Sequence, residues 1–248
     1  MKRYVRTAWA LALVGAFVAP AMAAAQANKP VVAVLAFNNN SIGKDHADYE
    51  GIGKGLQDFL TNDLVGNSSM TVVDRDRIQQ VLQEQNMAKQ GMIDPQTAVR
   101  IGKLLGAQYM ITGGFMSDGR GKVVATAYSI NVETSQVTNP EKVSGNDTDV
   151  LGIMAQLSEK VSKDMKLPAM NHGSGMGMMK DDPKPAEKMG SKDVKMDLRT
   201  AMLYSKALDA QDNGDKAKAT ELFNQVLHKF PDYTPAQDHL AKLGKSSD

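Results

Sequence analysis

Val31-Val32-Ala33-Val34-Leu35-Ala36-Phe37 is an unbroken apolar, β-prone run with turn-forming residues on both sides, the pattern of a central strand covered on both faces. Such a strand needs helices above and below it, so the run selects an α/β fold. After a polar loop, Asn38 to Glu50, residues Ile52, Leu56, Phe59, Leu60 and Leu64 fall at helical spacing. Met70 to Val73 is a short apolar segment, and Asp74 is placed to cap a helix carrying Ile78, Val81 and Leu82. Asp94-Pro95 starts a third helix, with Ile101, Leu104 and Leu105 as its apolar face and Gly106 at its end. Tyr109 to Met116 and Lys122 to Val132 are β-rich and joined by Ser117-Asp118-Gly119-Arg120-Gly121, a hairpin signature. In the second of these strands the alternation of Val124, Tyr128, Ile130 and Val132 predicts the buried face. A further short strand is expected to follow a turn near Thr134-Ser135, and Val150, Met154, Leu157 and Val161 predict a closing helix that ends near Lys166. The expectation is a mixed sheet of four to five strands flanked by about four helices, in the order β-α-β-α-α-β-β-(β)-α.

On the N-terminal side of this unit (residues 30–166), Met1 to Ala27 carries Lys2, Arg3 and Arg6, then an uncharged run from Thr7 to Ala19, then small residues. This reads as a secretory signal peptide cleaved after Ala23 or Ala27, its apolar run being too short for a membrane span. The expected location is the periplasm. On the C-terminal side, residues 167–197 collect Gly, Pro, Lys, Asp and Met with few branched apolar side chains, and read as a flexible linker. Residues 198–243 read as a small all-α helical hairpin plus a capping helix. Gly214, Ala219, Phe223 and Pro231 sit where a tetratricopeptide repeat has its turn, small, aromatic and terminal residues. One repeat cannot stand alone, so it must lean on the first domain, a second copy or a partner.

The chain has 248 residues, 42% hydrophobic and 23% charged, enough for one sizeable core and something smaller. Lys and Arg number 29 against 28 for Asp and Glu, a net charge of +1, which supplies no broad field to steer nucleic acid. Cysteine is absent, which excludes disulfides, thiolate metal sites, cysteine nucleophiles and an N-terminal lipid anchor on cysteine. No H-E-x-x-H, G-x-S-x-G or Walker A motif occurs, and His46, His172, His228 and His239 are far apart in sequence. No catalytic residues, cofactor or metal site are therefore assigned, and the chain reads as a non-enzyme. Gly51-Ile52-Gly53-Lys54-Gly55 opens a helix, where backbone N–H groups can hold a phosphate, but it reads more simply as a glycine turn. Met170, His172, Met176, Met178 and Met179 form a soft ligand set suited to Cu(I), which sustains an alternative reading as a periplasmic copper or small-ligand binder. Asp74-Arg75-Asp76-Arg77 is locally odd. Asp74 suits a cap, but Arg75 and Arg77 in a first helical turn oppose the helix dipole and need partners from elsewhere. Glu84, nine residues on, lies on the opposite side of the helix from Arg75.

Val32 to Phe37, Val72 to Met87, Ile101 to Gly113 and Tyr128 to Thr134 together resemble the CsgG family of curli production assembly and transport components, whose wider likenesses include LpoB-like and flagellar outer-membrane periplasmic domains. Asp74-Arg75 and Glu84 fall on that family's acid-Arg and acid positions, so the resemblance marks Asp74, Arg75, Arg77 and Glu84 as interface candidates. It implies an α/β periplasmic domain that binds other envelope proteins, with homo-oligomer formation open to it. Curli channels carry a lipidated cysteine and long membrane hairpins, whereas this chain has no cysteine and a five-residue turn at Ser117 to Gly121. Outer-membrane association is thus expected only through a partner. Two surfaces follow from this organisation, and removal of Leu198 to Asp248 is expected to leave a folded domain that has lost one partner. For the methionine cluster, the assembly reading expects identical Cu(I) titration curves for the parent and a Met176→Leu/Met178→Leu/Met179→Leu variant. A clear loss of binding in the variant would favour the copper reading.

Overall fold

The computed structural model describes residues 29–42, 44–87, 93–165 and 195–245. The expected signal peptide, the methionine cluster and most of the expected linker lie outside the described residues. In chain order the elements are β1 (Val31–Val34), β2 (Asn38–Asn39), α1 (Lys44–Asp48), α2 (Ile52–Val65), β3 (Thr71–Val72), α3 (Arg75–Glu84), α4 (Pro95–Leu105), β4 (Tyr109–Ser117), β5 (Lys122–Asn131), β6 (Glu141–Asn146), α5 (Val150–Asp164), α6 (Leu198–Asp212), α7 (Lys216–Lys229) and α8 (Thr234–Lys245). The strands form one mixed sheet in the order β3-β1-β4-β5-β6, with β2 also paired to β4. β1 runs parallel to both β3 and β4, and β4, β5 and β6 form an antiparallel meander.

β1 is the axle of the molecule because both its faces are covered. Val32 and Val34 enter one core with α2, α5 and the C-terminal helices, while Ala33 and Leu35 enter a second core with α3 and α4, all four fully buried. Consecutive apolar residues are what a strand buried on both sides requires. The strand is shorter than the apolar run. Beyond Val34 the Leu35 N–H still donates to Ile111 O at 2.8 Å, but the Phe37 N–H turns away to Gly53 O at 3.2 Å. The stretch expected to be a loop, Asn38 to Glu50, instead contains β2 and the one-turn α1.

Two other expectations change, the buried faces of β5 and α4. The turn expected near Thr134-Ser135 is present: Asn131 Oδ1 accepts from the N–H groups of Glu133 and Thr134, and Ser135 has φ 59°. The last strand is β6, whose sequence Glu-Lys-Val-Ser-Gly-Asn buries only Val143 and so carries no periodic apolar signal. In β5 the side under α5 is lined by small residues, Val123, Ala125 and Ala127, all buried, whereas Val124 and Tyr128 are only half-buried. Ile130 and Val132 are buried, beside α4. On α4 the inward face is Ala98, Val99, Ile101 and Gly102, and Leu104 is 49% exposed. A large side chain at position 102 would meet Val132 and Met110, so close approach of α4 to the sheet selects glycine there.

The C-terminal helices complete the larger core. Phe59 of α2 stacks on Tyr204 of α6 with centroids 5.3 Å apart, and Phe223, Val226, Tyr233 and Ala236 share the same cluster. The Gly55 N–H donates to Ser205 Oγ at 3.0 Å, and a side chain at 55 would collide with that hydroxyl. At the end of the expected linker, Met196 is fully buried; Val150 N–H donates to Met196 O at 2.9 Å and Leu198 N–H to Asp147 O at 2.7 Å. One core across both regions leads to a different truncation outcome from that expected from the sequence. Deleting residues 195–248 uncovers Phe59 and the apolar face of α2, at a cost of about 1.5–3 kcal/mol for each large side chain left exposed. The melting temperature of the truncated chain is expected to fall by more than about 10 °C by circular dichroism. A truncated chain with an unchanged, cooperative melt would refute the shared core.

Candidate ion-pair cluster between the N- and C-terminal helices

Among the described residues, the buried charges gather where α2, α3, α6 and α8 converge. Asp74 caps α3, its carboxylate accepting from the Asp76 N–H at 2.7 Å, which puts Arg75 at the first helical position with its side chain 3% exposed. A cation there faces the positive end of the helix dipole. Its partner has the converse defect. Asp212 closes α6, where an anion faces the negative end of that dipole. The two meet in a forked contact: Arg75 Nη1 donates to Asp212 Oδ1 at 3.0 Å and Oδ2 at 3.1 Å, and Nη2 to Oδ1 at 2.7 Å. Lys54 of α2 reaches Asp212 Oδ2 at 2.8 Å and Asp209 Oδ1 at 2.7 Å, and Gln83 Nε2 donates to the Asp212 carbonyl at 3.1 Å.

Asp58 of α2 is the second buried carboxylate. It accepts from Tyr204 Oη at 2.6 Å and Asn62 Nδ2 at 2.7 Å, and lies 3.9 Å from Arg75 Nε and 3.8 Å from His239 Nε2. Burial pushes its pKa up, but His239, the Tyr204 hydroxyl and the Arg75 charge outweigh burial and hold it below the ordinary carboxylate range. Burial, followed by the Asp58 charge, drives Tyr204 and Tyr233 well above the usual phenol range, so both rings stay neutral. The His239 ring stacks on Phe223 with centroids 5.1 Å apart and its Nδ1 meets Gln211 Oε1 at 3.0 Å. Over the cluster opens a cleft of about 460 Å³ between α2, the β3–α3 junction and α8. Lys242 crosses it, bonding Asp76 at 2.8 Å and facing Asp74 at 3.6 Å. Desolvation lowers the Lys242 pKa, but the two carboxylates raise it by more.

Of the residues singled out from the sequence, only Arg75 enters the buried cluster. Asp74 serves as cap and as a rim partner of Lys242, Arg77 donates to Gln80 Oε1 at 2.9 Å on the exposed side of α3, and Glu84 is exposed at the far end of the helix. Asp58, Asp212, Lys54, Tyr204 and His239 escaped sequence reading. Asp212 had a readable signal, being an acid in a last helical turn; Asp58 had a weaker one, an acid inside Leu56-Gln57-Asp58-Phe59-Leu60. In the Gly51 to Gly55 segment three N–H groups are used internally: Ile52 bonds Tyr49 O, Lys54 bonds Gly51 O and Gly55 bonds Ser205. Gly51 supplies a φ of 82°, and Gly53 lies against the Phe37 carbonyl, where no Cβ fits. Among the described residues no group of three His, Asp or Glu is placed to hold a metal ion. No helix among them is long and apolar enough to cross a membrane.

Parts of the chain are similar to known proteins. The model of the family described as curli production assembly/transport component CsgG matches residues 16–118, less than half of the chain. That match takes in three of the four stretches that carry the resemblance and stops short of Tyr128 to Thr134; it supports a CsgG-like fold for this part. The LpoB C-terminal domain from Escherichia coli is 18% identical, with TM-score 0.38, over 48% of this chain and 83% of that one. The lipoprotein GNA1162 from Neisseria meningitidis is 12% identical, with TM-score 0.39, over 55% of this chain and 96% of that one. A PelC dodecamer subunit from Paraburkholderia phytofirmans is 15% identical, with TM-score 0.31, over 56% and 87%. No curated protein matches the chain.

Breaking a buried pair from one side leaves a charge without compensation, so Arg75→Met is expected to cost about 3–5 kcal/mol by urea unfolding. Arg75→Lys, which keeps the charge but not the fork, should fall between it and the parent. The pH dependence has a definite sign. Because the Asp58 pKa is lower folded than unfolded, where it is about 3.8, its contribution is present above that value and disappears as pH falls through the folded pKa. The parent is therefore expected to lose melting temperature more steeply below pH 4 than Asp58→Asn, which starts from a lower value. Parallel profiles would remove Asp58 from the account.

Proposed function

We propose that this chain is a periplasmic adaptor, without chemistry of its own, that acts in the assembly or transport of envelope or curli-type secreted components by binding other proteins. The observation that carries this reading is the use made of the buried charges: Arg75, Asp58, Asp212 and Lys54 are engaged with one another in joining the α6–α8 helices to the CsgG-like unit. A hydrolase needs a nucleophile with a base beside it, left free for substrate. A cluster spent on internal contacts serves rigidity instead. The match to the curli assembly and transport family and the export signal read in Met1 to Ala27 support the same direction. The tetratricopeptide-like hairpin supplies a second surface of the kind that docks helices or peptides, and a homo-oligomer is compatible with both surfaces.

The test is photo-crosslinking in cells from Ala241, exposed on α8 at the cleft rim, and from Arg77 on the outer side of α3. Adducts with other envelope proteins, or between copies of the chain, are the expected result. Recovery of the chain in the cytoplasm without adducts would overturn the reading. So would a turnover that Asp58→Asn abolishes at a temperature where that variant is folded.

A further inference from the structure

The sheet is covered completely on the side of α2 and α5 but only in part on the other. There α3 and α4 reach the Met110, Ile130 and Val132 end. The remaining strip, at the hairpin end of the meander, is left outward by the described residues. Strand alternation puts Lys122, Val124, Thr126 and Tyr128 of β5 on that face, and the pairing register brings Met116 of β4 beside Val124 and Ser144 of β6 on its other side. Exposure agrees: Met116 is 40% exposed, Lys122, Lys142 and Ser144 are exposed, and Val124 and Tyr128 are half-buried although the sequence pattern reads them as core. A shallow depression of about 400 Å³ lies on this end, lined by Arg120, Lys122 and Ser144 among others.

We infer that this strip is a docking face for an acidic amphipathic helix of a partner protein. Three observations select that occupant. The strip carries the apolar Met116 and Val124 at its centre, with Thr126 beside them and Tyr128 where the strip meets the α3–α4 core, between the cations Lys122 and Lys142, and no strand position on it carries a carboxylate. Glu141 lies on the alternate face of β6, within 3.6 Å of Lys160 of α5, and Asp118 in the hairpin turn is occupied by the Arg120 and Lys122 N–H groups. Size is the second argument. Three strands about 4.8 Å apart over four residues of about 3.3 Å offer roughly 200 Å², well short of the ~800 Å² per partner that a stable dimer buries. A single helix, about 10 Å across, fits that width. Layering is the third: among the described residues, a sheet with helices on one face and half of the other lacks one helix to bury its remaining apolar strip. This inference rests on the adaptor reading and names the kind of partner it would take.

The chain has no cysteine, so Ser144→Cys places a single thiol on the strip of the full-length protein. A dye on that thiol would be titrated with a synthetic 18-residue helix bearing Leu on one stripe and Glu on the other, and with its Lys counterpart. Saturable binding of the Glu peptide alone is expected, weakened at least tenfold by Lys122→Glu/Lys142→Glu and by added salt. Equal binding of both peptides, no saturation, or indifference to charge reversal would overturn the inference. So would a thiol that does not react because another part of the chain covers it, or a dimer that the charge reversal dissociates. Cellular adducts from Ala241 without peptide binding here would remove this face and leave the adaptor reading; loss of both would remove both.

Discussion

An arginine that opens one helix and an aspartate that closes another are each misplaced by the electrostatics of their own helix, and the pairing of Arg75 with Asp212 resolves both. Neither residue suits its position without the other. Because the two residues lie 137 positions apart, the pair does more than satisfy local charge: it fixes where the C-terminal helices sit on the α/β unit. Lys54 and Asp58 of α2 extend the same network from below, so that α2 is the floor on which both halves meet. Burial of ion pairs yields little net stability compared with apolar packing, but it penalises any arrangement in which the partners are separated. The stacking of Phe59 on Tyr204 supplies the attraction, and the charges supply the register.

The sheet obeys a similar division. β1 is apolar at every position because both faces are covered, and that uniformity made it the most legible element in the chain. The glycines at 53, 55 and 102 mark where helices approach a strand or each other too closely for a Cβ. The Gly51 to Gly55 segment, read as a glycine turn, is thus a packing device, with the Ile52, Lys54 and Gly55 N–H groups bonded within the protein.

Legibility followed the density of apolar signal. The helices α2, α3, α4 and α5, with the Asp74 and Asp94 caps and the Gly106 stop, could be read directly, since cap chemistry and a 3.6-residue period reinforce one another. β6 was legible only as a short strand after the turn near Thr134-Ser135, without bounds, because an edge strand with one buried valine has no period to detect. In β5 the pattern pointed to the larger residues, but the approach of α5 makes the small ones the buried set. The cluster was half visible. Arg75 was flagged by its conflict with the α3 dipole, but its partner lies 137 residues away, and no sequence rule connects positions that only tertiary packing brings together.

The contact between Gly55 and Ser205 ties the sizes of two remote positions together. At this point α2 and α6 approach so nearly that the hydroxyl of one occupies the space a methyl group would take on the other. Enlarging either residue acts as a wedge whose far end is the Arg75–Asp212 fork, so a change at 55 is felt by charges that it never touches. The helix interface therefore behaves as a vernier: small steric differences at its closest point are read out as the gap between ions at its edge.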